Sequence, residues 1–319
     1  MIKAAAKTDQ PRFVIIAGPT GTGKSGLGLE LAEELGGEIV GADSMQVYRY
    51  MDIGTAKPTL EERKKTKHHL IDVVAPDQSF HAGLYRALGR RTIDELHRDR
   101  RLVWVVGGTG LYIKALTQGL FTSPKIDPKI RDRLKQEAQE RGDEFLYHRL
   151  EQVDPRTASR LHPHDRARIL RALEVFEVTG VPISFFQEQH RFGEQPYVTL
   201  KIGLEMERKI LYQRLDRRVD RMVEQGFLKE VEGLIEMGYG PELKPMQSLG
   251  YKQMVRYLEK KLDWDEAIRQ IKRDTRHYAK RQWTWFKADP EIHWYGPRAE
   301  RDKIVSEIRF FLREEGKPT

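Results

Sequence analysis

An α/β fold, a parallel sheet flanked by helices with a helical insertion domain, is what this 319-residue sequence predicts. Three observations carry that expectation. Short β-branched apolar runs alternate with helical stretches, the pattern of parallel strands joined by crossover helices. A glycine-rich turn follows the first run and opens straight into a helix. From residue 123 to 196 the strand signals vanish and short amphipathic helices take over, bracketed by Ser123-Pro124 and by a polar, Gly- and Pro-containing stretch at 193–196.

Taken in order, RFVIIA at 12–17 predicts the first strand, and residues 25–35 a helix closed by Gly36 and Gly37. Strands follow at 38–42, 69–74 and 102–106, with helical character at 80–100 between the last two. After the insertion, YVTLKIGLE at 197–205 returns the chain to the sheet. Helical patterns then run through 208–225, 227–237, 249–260 and 264–286, before a strand at 292–295 and a helix from about 298. The expected organisation is therefore a polar tail at 1–11, read as disordered, a catalytic core made of 12–122 with 197–319, and a helical insertion at 123–196.

Gly18-Pro19-Thr20-Gly21-Thr22-Gly23-Lys24-Ser25 matches the phosphate-binding loop G-x-x-x-x-G-K-[ST] and sits between a strand and a helix, the context that motif requires. The glycines let backbone N–H groups converge on a diphosphate, and the helix N-terminus adds positive potential. Lys24 supplies a full charge, and Ser25 offers an oxygen to Mg²⁺. The core is thus a P-loop NTPase-like sheet. Nucleotide hydrolases usually end a second apolar strand in an acid, yet the run LVWVV ends in Gly107-Gly108-Thr109-Gly110 with no carboxylate. An acid does close the strand at 38–42: Asp43, which lies near bound phosphates if the first two strands are neighbours. It could hold Mg²⁺, accept a proton from a nucleophile, or merely cap the next helix. Thr109 is likewise either a site residue or a helix cap.

Composition narrows the function classes. Cysteine is absent, which excludes disulfides, thiol catalysis and thiolate metal sites, and the ten histidines show no zinc spacing. No apolar run approaches the roughly 20 residues of a membrane span, so the expected setting is cytoplasmic, with no membrane partner. Lys plus Arg exceed Asp plus Glu by 56 to 48, giving +8 and a polyanionic partner as the expectation. Arg160, His162, His164, Arg166, Arg168 and Arg171 concentrate charge in the insertion, opposed locally by Asp165 alone, and a second cluster at 273–286 mixes Arg and Lys with aromatics.

Seven strings together are specific: GPTGTGKS from Gly18, ADSMQVYRYMDIGTAKP from Ala42, GGTGLYIKAL from Gly107, HPHDRARILRALEVFEVTG from His162, RVDRMVEQGF from Arg218, SLGYKQM from Ser248 and TRHYAKRQWTWF from Thr275. In this order, across roughly residues 12–287, the sequence resembles the bacterial tRNA dimethylallyltransferases. The resemblance implies transfer of a dimethylallyl group from dimethylallyl diphosphate to the exocyclic N6 amine of the adenosine 3′ to the anticodon, in tRNAs reading codons that begin with U. It implies Asp43 as proton acceptor, with Thr109 and Arg218 helping the loop at 18–25 to neutralise departing pyrophosphate. It further implies tRNA contacts at Asp43, Ser44, Met45, Gln46, Thr109 and Arg131, at Ala167, Arg168, Ile169, Leu170 and Arg171, and at Gln247, Ser248, Leu249, Gly250, Tyr251 and Lys252. Mg²⁺ on Ser25 and Asp43, the anticodon stem-loop as partner and a monomeric state complete the expectation. The rivals are a P-loop small-molecule or nucleoside kinase, a prenyltransferase of free adenine nucleotides, and an RNA-binding protein with a vestigial loop.

Overall fold

The computed structural model describes residues 10–121, 127–190, 192–296 and 300–313. The expected insertion boundary at Ser123-Pro124 lies outside them, as does most of the expected tail. Gln10 and Pro11 correct that tail reading: the Pro11 carbonyl accepts from Val198 N at 3.1 Å, which prolongs a strand pairing by one bond.

The chain runs β1 (Arg12–Ala17), α1 (Lys24–Leu35), β2 (Glu38–Ala42), α2 (Leu60–Lys65), β3 (His68–His69), α3 (Ala82–Arg98), β4 (Val103–Gly107) and α4 (Gly110–Gln118). Five helices follow: α5 (Pro128–Arg141), α6 (Asp143–Val153), α7 (Pro155–Ala158), α8 (Arg166–Thr179) and α9 (Ile183–His190). The remainder is β5 (Val198–Leu204), α10 (Arg208–Glu224), α11 (Phe227–Glu236), α12 (Tyr251–Leu258), α13 (Trp264–Lys287), β6 (Ile292–Tyr295) and α14 (Arg301–Arg313). Two compact units result. One joins the described residues up to Thr117 to those from Gln195 onward, and the other is Gln118–Glu194.

In the first unit six strands pair in parallel, in the order β3-β2-β4-β1-β5-β6. Period-two alternation buries both faces, as a parallel sheet demands. Phe13 and Ile15 pack with α3, α4 and α10–α13 on one side, while Val14, Ile16, Ile39 and Trp104 pack with α1 and α14 on the other. Each such side chain, fully removed from water, contributes about 1.5–3 kcal/mol.

Two expectations need correction. β1 and β2 are not neighbours, because β4 lies between them, with Ala17 and Ala42 both registered against Gly107. The strand expected at 69–74 shrinks to two residues: Leu70 and Asp72 adopt left-handed φ of 59° and 55°, which no ladder tolerates. Asp72 is pinned there by Lys57 at 2.7 Å and Arg63 at 2.6 Å.

The second unit has its own core, with Leu134, Leu146, Leu150, Ile169 and Leu173 buried across α5, α6 and α8. Asp154 holds it together at a corner, accepting from Thr157 N and Oγ1 and from Ser184 N at 2.8–3.0 Å. Those bonds hold the Asp154 carboxyl below the usual carboxylate range in spite of its burial.

Candidate active site

The phosphate-binding loop leaves β1 and enters α1, with Gly18, Gly21 and Gly23 at positive φ. Thr22 is fully buried and donates to the Pro19 carbonyl at 2.9 Å, which closes the turn. Lys24 is only 8% exposed, and its ammonium donates to the same carbonyl at 2.7 Å. Burial, then the neighbouring Arg218 guanidinium, pull the Lys24 pKa from 10.5 down to about 7, with Asp43 pulling the other way. Arg218, on α10, is disfavoured as a cation by its own burial and by Arg221, and Asp43 offsets this. Arg218 disfavours the charge on Lys24, and the two share Asp43 as the acid that offsets both, so an anion such as a diphosphate placed between them would favour both charged forms.

Asp43 follows β2. Its Oδ1 accepts from Met45 N at 2.8 Å and Gln46 N at 3.3 Å, a local turn that caps no helix, so the helix-cap reading fails. Thr109 does begin α4, yet its side chain works elsewhere: Oγ1 accepts from Ser44 N at 3.0 Å, and Thr109 N donates to Ala42 O at 3.0 Å. Thr109 thereby braces the Asp43 turn from the adjacent strand end.

Two cavities meet at this turn. One, of about 900 Å³, is lined by the loop residues Gly21, Lys24 and Ser25, by Gln46 and by the arginines of α10. The other, of about 530 Å³, is lined by Ser44, Met45, the segment 248–252 and the α13 residues His277, Tyr278 and Arg281. Thr20, Asp43, Thr55, Arg218, Met222 and Tyr278 form the wall common to both. Gln46, expected as a tRNA contact together with Ser44 and Met45, is parted from them and borders the loop-side cavity, its amide donating to the carbonyls of Thr55 and Ala56 at 3.2 Å. Tyr278 has its pKa raised to about 12 by burial and by Asp43, so it stays a neutral hydroxyl.

Sequence reasoning missed several residues here. Glu230 on α11 accepts from the backbone of Asp52, Ile53 and Gly54 at 2.6–3.1 Å and from the Tyr251 hydroxyl at 2.6 Å. It therefore fixes the segment that presents Thr55 to the shared wall. Gln282 on α13 bonds both the loop and the turn after β4. Neither residue belongs to a short motif with its own chemistry: Gln282 lies within the string that starts at Thr275 and Glu230 three residues past the one that starts at Arg218, and only those positions could have drawn notice.

The other expected contact residues divide by burial. Within the segment 247–252, Gln247 and Lys252 are exposed and Leu249 half-buried, whereas Tyr251 is 1% exposed and is held by Glu230. In the helical unit, Ala167 and Arg168 are exposed, but Ile169 and Leu170 turn into the core at 1% and 8% exposure, so their side chains support the helix and cannot reach a ligand. The expectation that Asp165 alone opposes the basic cluster also fails. Arg166 pairs with Asp143, Arg168 with Asp165, and Arg131 and Arg171 with the fully buried Glu174. Asp143 is 23 residues from Arg166 and Glu174 is 43 from Arg131, so those two pairs form only on folding, whereas Asp165 and Glu174 each sit three residues from Arg168 and Arg171 on the same helical segment. Arg160, His162 and His164 remain exposed.

The IPP transferase family model matches residues 46–289. The chain belongs to that family. It is 52% identical over 303 residues to the tRNA dimethylallyltransferase of Geobacter metallireducens, covering 95% of this chain and 98% of that protein. It is 57% identical over 302 residues to that of Syntrophobacter fumaroxidans, covering 95% and 88%. Among solved structures, it is similar to the full-length tRNA isopentenylpyrophosphate transferase of Bacillus halodurans, with 38% identity, 96% of both chains covered and a TM-score of 0.70. A eukaryotic dimethylallyltransferase acting on tRNA shares 29% identity over 95% of this chain and 80% of its own, with a TM-score of 0.80. The P-loop-like sheet and helical unit are thus those of the IPP transferase family, and the kinase reading is not favoured.

Proposed function

We propose that this chain is a tRNA dimethylallyltransferase, taking dimethylallyl diphosphate as donor and the N6 amine of the adenosine 3′ to the anticodon as acceptor. The carrying observation is Asp43 on the wall common to the loop-side cavity and its neighbour. The diphosphate occupies the loop side, facing Lys24, Arg218 and the backbone amides of α1's first turn. Adenine enters the second cavity after leaving the anticodon-loop stack. N6 attacks the allylic carbon while the C–O bond to diphosphate breaks. The departing oxygen's growing charge meets Lys24 and Arg218, which lowers the barrier directly. The proton released from N6 passes to Asp43 Oδ2, since Oδ1 is occupied by two backbone donors.

Mg²⁺ suits this chemistry. Ser25 and Asp43 border one cavity, and among the described residues no cluster of three or more His, Cys, Asp or Glu could cage a metal. The ion would then take its remaining oxygens from diphosphate and water, as magnesium prefers, and would screen the diphosphate charge. Among the described residues no helix is long and apolar enough to cross a membrane. A cytoplasmic setting and a monomeric state are part of the proposal.

The test incubates the purified chain with Mg²⁺, dimethylallyl diphosphate and unmodified tRNA, followed by mass spectrometry of digested nucleosides. A gain of one C5H8 on a single adenosine supports the reading. Transfer to free adenine nucleotides but not to tRNA, or ATP turnover dependent on a small acceptor, overturns it.

A further inference from the structure

From the bonds of one buried amide on α13 we infer that Gln282 is a positioning residue for the transfer, holding the diphosphate loop and the Asp43 turn at a fixed separation. Its side chain is 7% exposed and uses both ends of the amide. Oε1 accepts from Thr20 N at 2.8 Å, and Nε2 donates to the Gly108 carbonyl at 2.7 Å. Gly108 is followed by Thr109, whose hydroxyl accepts from Ser44 N, next to Asp43. An unbroken line of bonds therefore runs from the loop, through Gln282, to the carboxylate that receives the proton.

The rest of the α13 face fits the same task. Tyr278, Gln282 and Trp285, spaced i, i+4 and i+7, lie on one stripe of the helix. The Tyr278 hydroxyl lies beside the Thr109 side chain. The Trp285 indole lies so close to Gly110 that a Cβ there would come within 2.0 Å of its Nε1. A Cβ on Gly108 would come within 2.4 Å of Gln282 Nε2. Three successive contacts of α13 thus lock the turn 108–110, and only Gln282 extends the lock to the phosphate loop.

Such a lock matters because displacement at carbon requires nucleophile and leaving group to be aligned on opposite sides of that carbon. A misplacement of about 1 Å can cost roughly 100-fold in rate. Misalignment has a second consequence. Water can then attack the allylic carbon in place of adenine: its oxygen bonds to carbon, the C–O bond to diphosphate breaks, a proton leaves to solvent, and dimethylallyl alcohol and pyrophosphate are released.

This inference rests on the prenyl-transfer reading, and the experiment separates the two. Gln282→Glu keeps the acceptor for Thr20 N and removes the donor to Gly108, while Gly108→Ala displaces the amide without altering Gln282. For each, kcat, the KM for tRNA, the ratio of alcohol to modified tRNA, and the melting curve are measured beside the wild type. The expected result is a kcat lower by about 10–100-fold, an unchanged KM for tRNA, a raised alcohol ratio and a cooperative melt. Wild-type kcat and wild-type alcohol ratio in both variants overturn the role of Gln282. Loss of the melting transition in both also overturns it, since the residue would then be structural. Failure of the wild type to modify tRNA instead defeats the prenyl-transfer reading.

Discussion

Raising the pH from 6 to 8.5 should strip a proton from Lys24 and loosen the diphosphate site. The buried ammonium, pressed by Arg218 and only partly relieved by Asp43, has its pKa brought down to about 7. One pH unit above that value about nine in ten of these lysines are neutral, so each further unit costs an anion that needs the charged form about 1.4 kcal/mol, or tenfold in Kd. Binding above pH 7 must therefore draw a proton from solution. The stability effect has the opposite sign. Because the folded pKa lies below the unfolded 10.5, the unfolded chain holds the extra proton between about pH 7 and 10.5, and folding becomes more favourable as pH rises through that window. Weaker binding at pH 8.5 cannot then be charged to unfolding through Lys24. The assay is calorimetric titration of dimethylallyl diphosphate, in buffer pairs of different ionisation heat, on wild type and Lys24→Arg. Arginine stays charged throughout the range, and the ligand's own titration is common to both proteins, so their difference isolates Lys24. Parallel pH profiles for the two proteins, with no proton uptake assignable to Lys24, would refute the argument.

Asp43→Asn should lower kcat by about 100- to 10,000-fold while donor binding holds or tightens, because an anion beside the diphosphate has been removed; rapid-quench kinetics with calorimetry checks both halves. Gly107→Ala should cost more than the about 1–3 kcal/mol of ordinary overpacking, since its Cβ would sit 2.1 Å from the Ala42 carbonyl oxygen and neither backbone can yield; a urea midpoint equal to wild type would contradict this. Arg168→Ala should weaken tRNA binding at low salt and reduce the slope of log K against log salt by about one, measured by filter binding, if its guanidinium exchanges Asp165 for a phosphate.

Much of the sheet could be read from the sequence because its central strands are buried on both faces and so appear as apolar runs. Residues 12–17, 38–42 and 292–295 coincide with β1, β2 and β6. The failed strand at 69–74 depended on Lys57 and Arg63 holding Asp72, contacts that no local window contains. The loop was legible because its chemistry is local, eight consecutive residues around one diphosphate. The role of Thr109 was not, since a threonine opening a helix looks the same whether its hydroxyl caps that helix or, as here, accepts from Ser44 on another strand end. Gln282 and Glu230 were hidden for the same reason: each acts on backbone groups far away in sequence.

The absence of an acid after β4 looks like a missing part, yet the register gives it a positive meaning. Ala17, Gly107 and Ala42 lie side by side across β1, β4 and β2, so the residues that follow, Gly18, Gly108 and Asp43, emerge from one edge of the sheet. With strands spaced about 4.8 Å apart, Asp43 begins roughly 10 Å from the start of the phosphate loop, a gap that a reacting five-carbon group must bridge. A carboxylate on the middle strand would fill that gap and place its charge against the leaving diphosphate, where a hydrolase needs it for metal and water. Glycines there put no charge at the middle strand end and admit the Gln282 amide, and the acid stands one strand further out, where the proposed transfer puts the incoming nucleophile. Moving the carboxylate by one strand thus converts a phosphate site that would activate water into one that lets a carbon chain lie between loop and base.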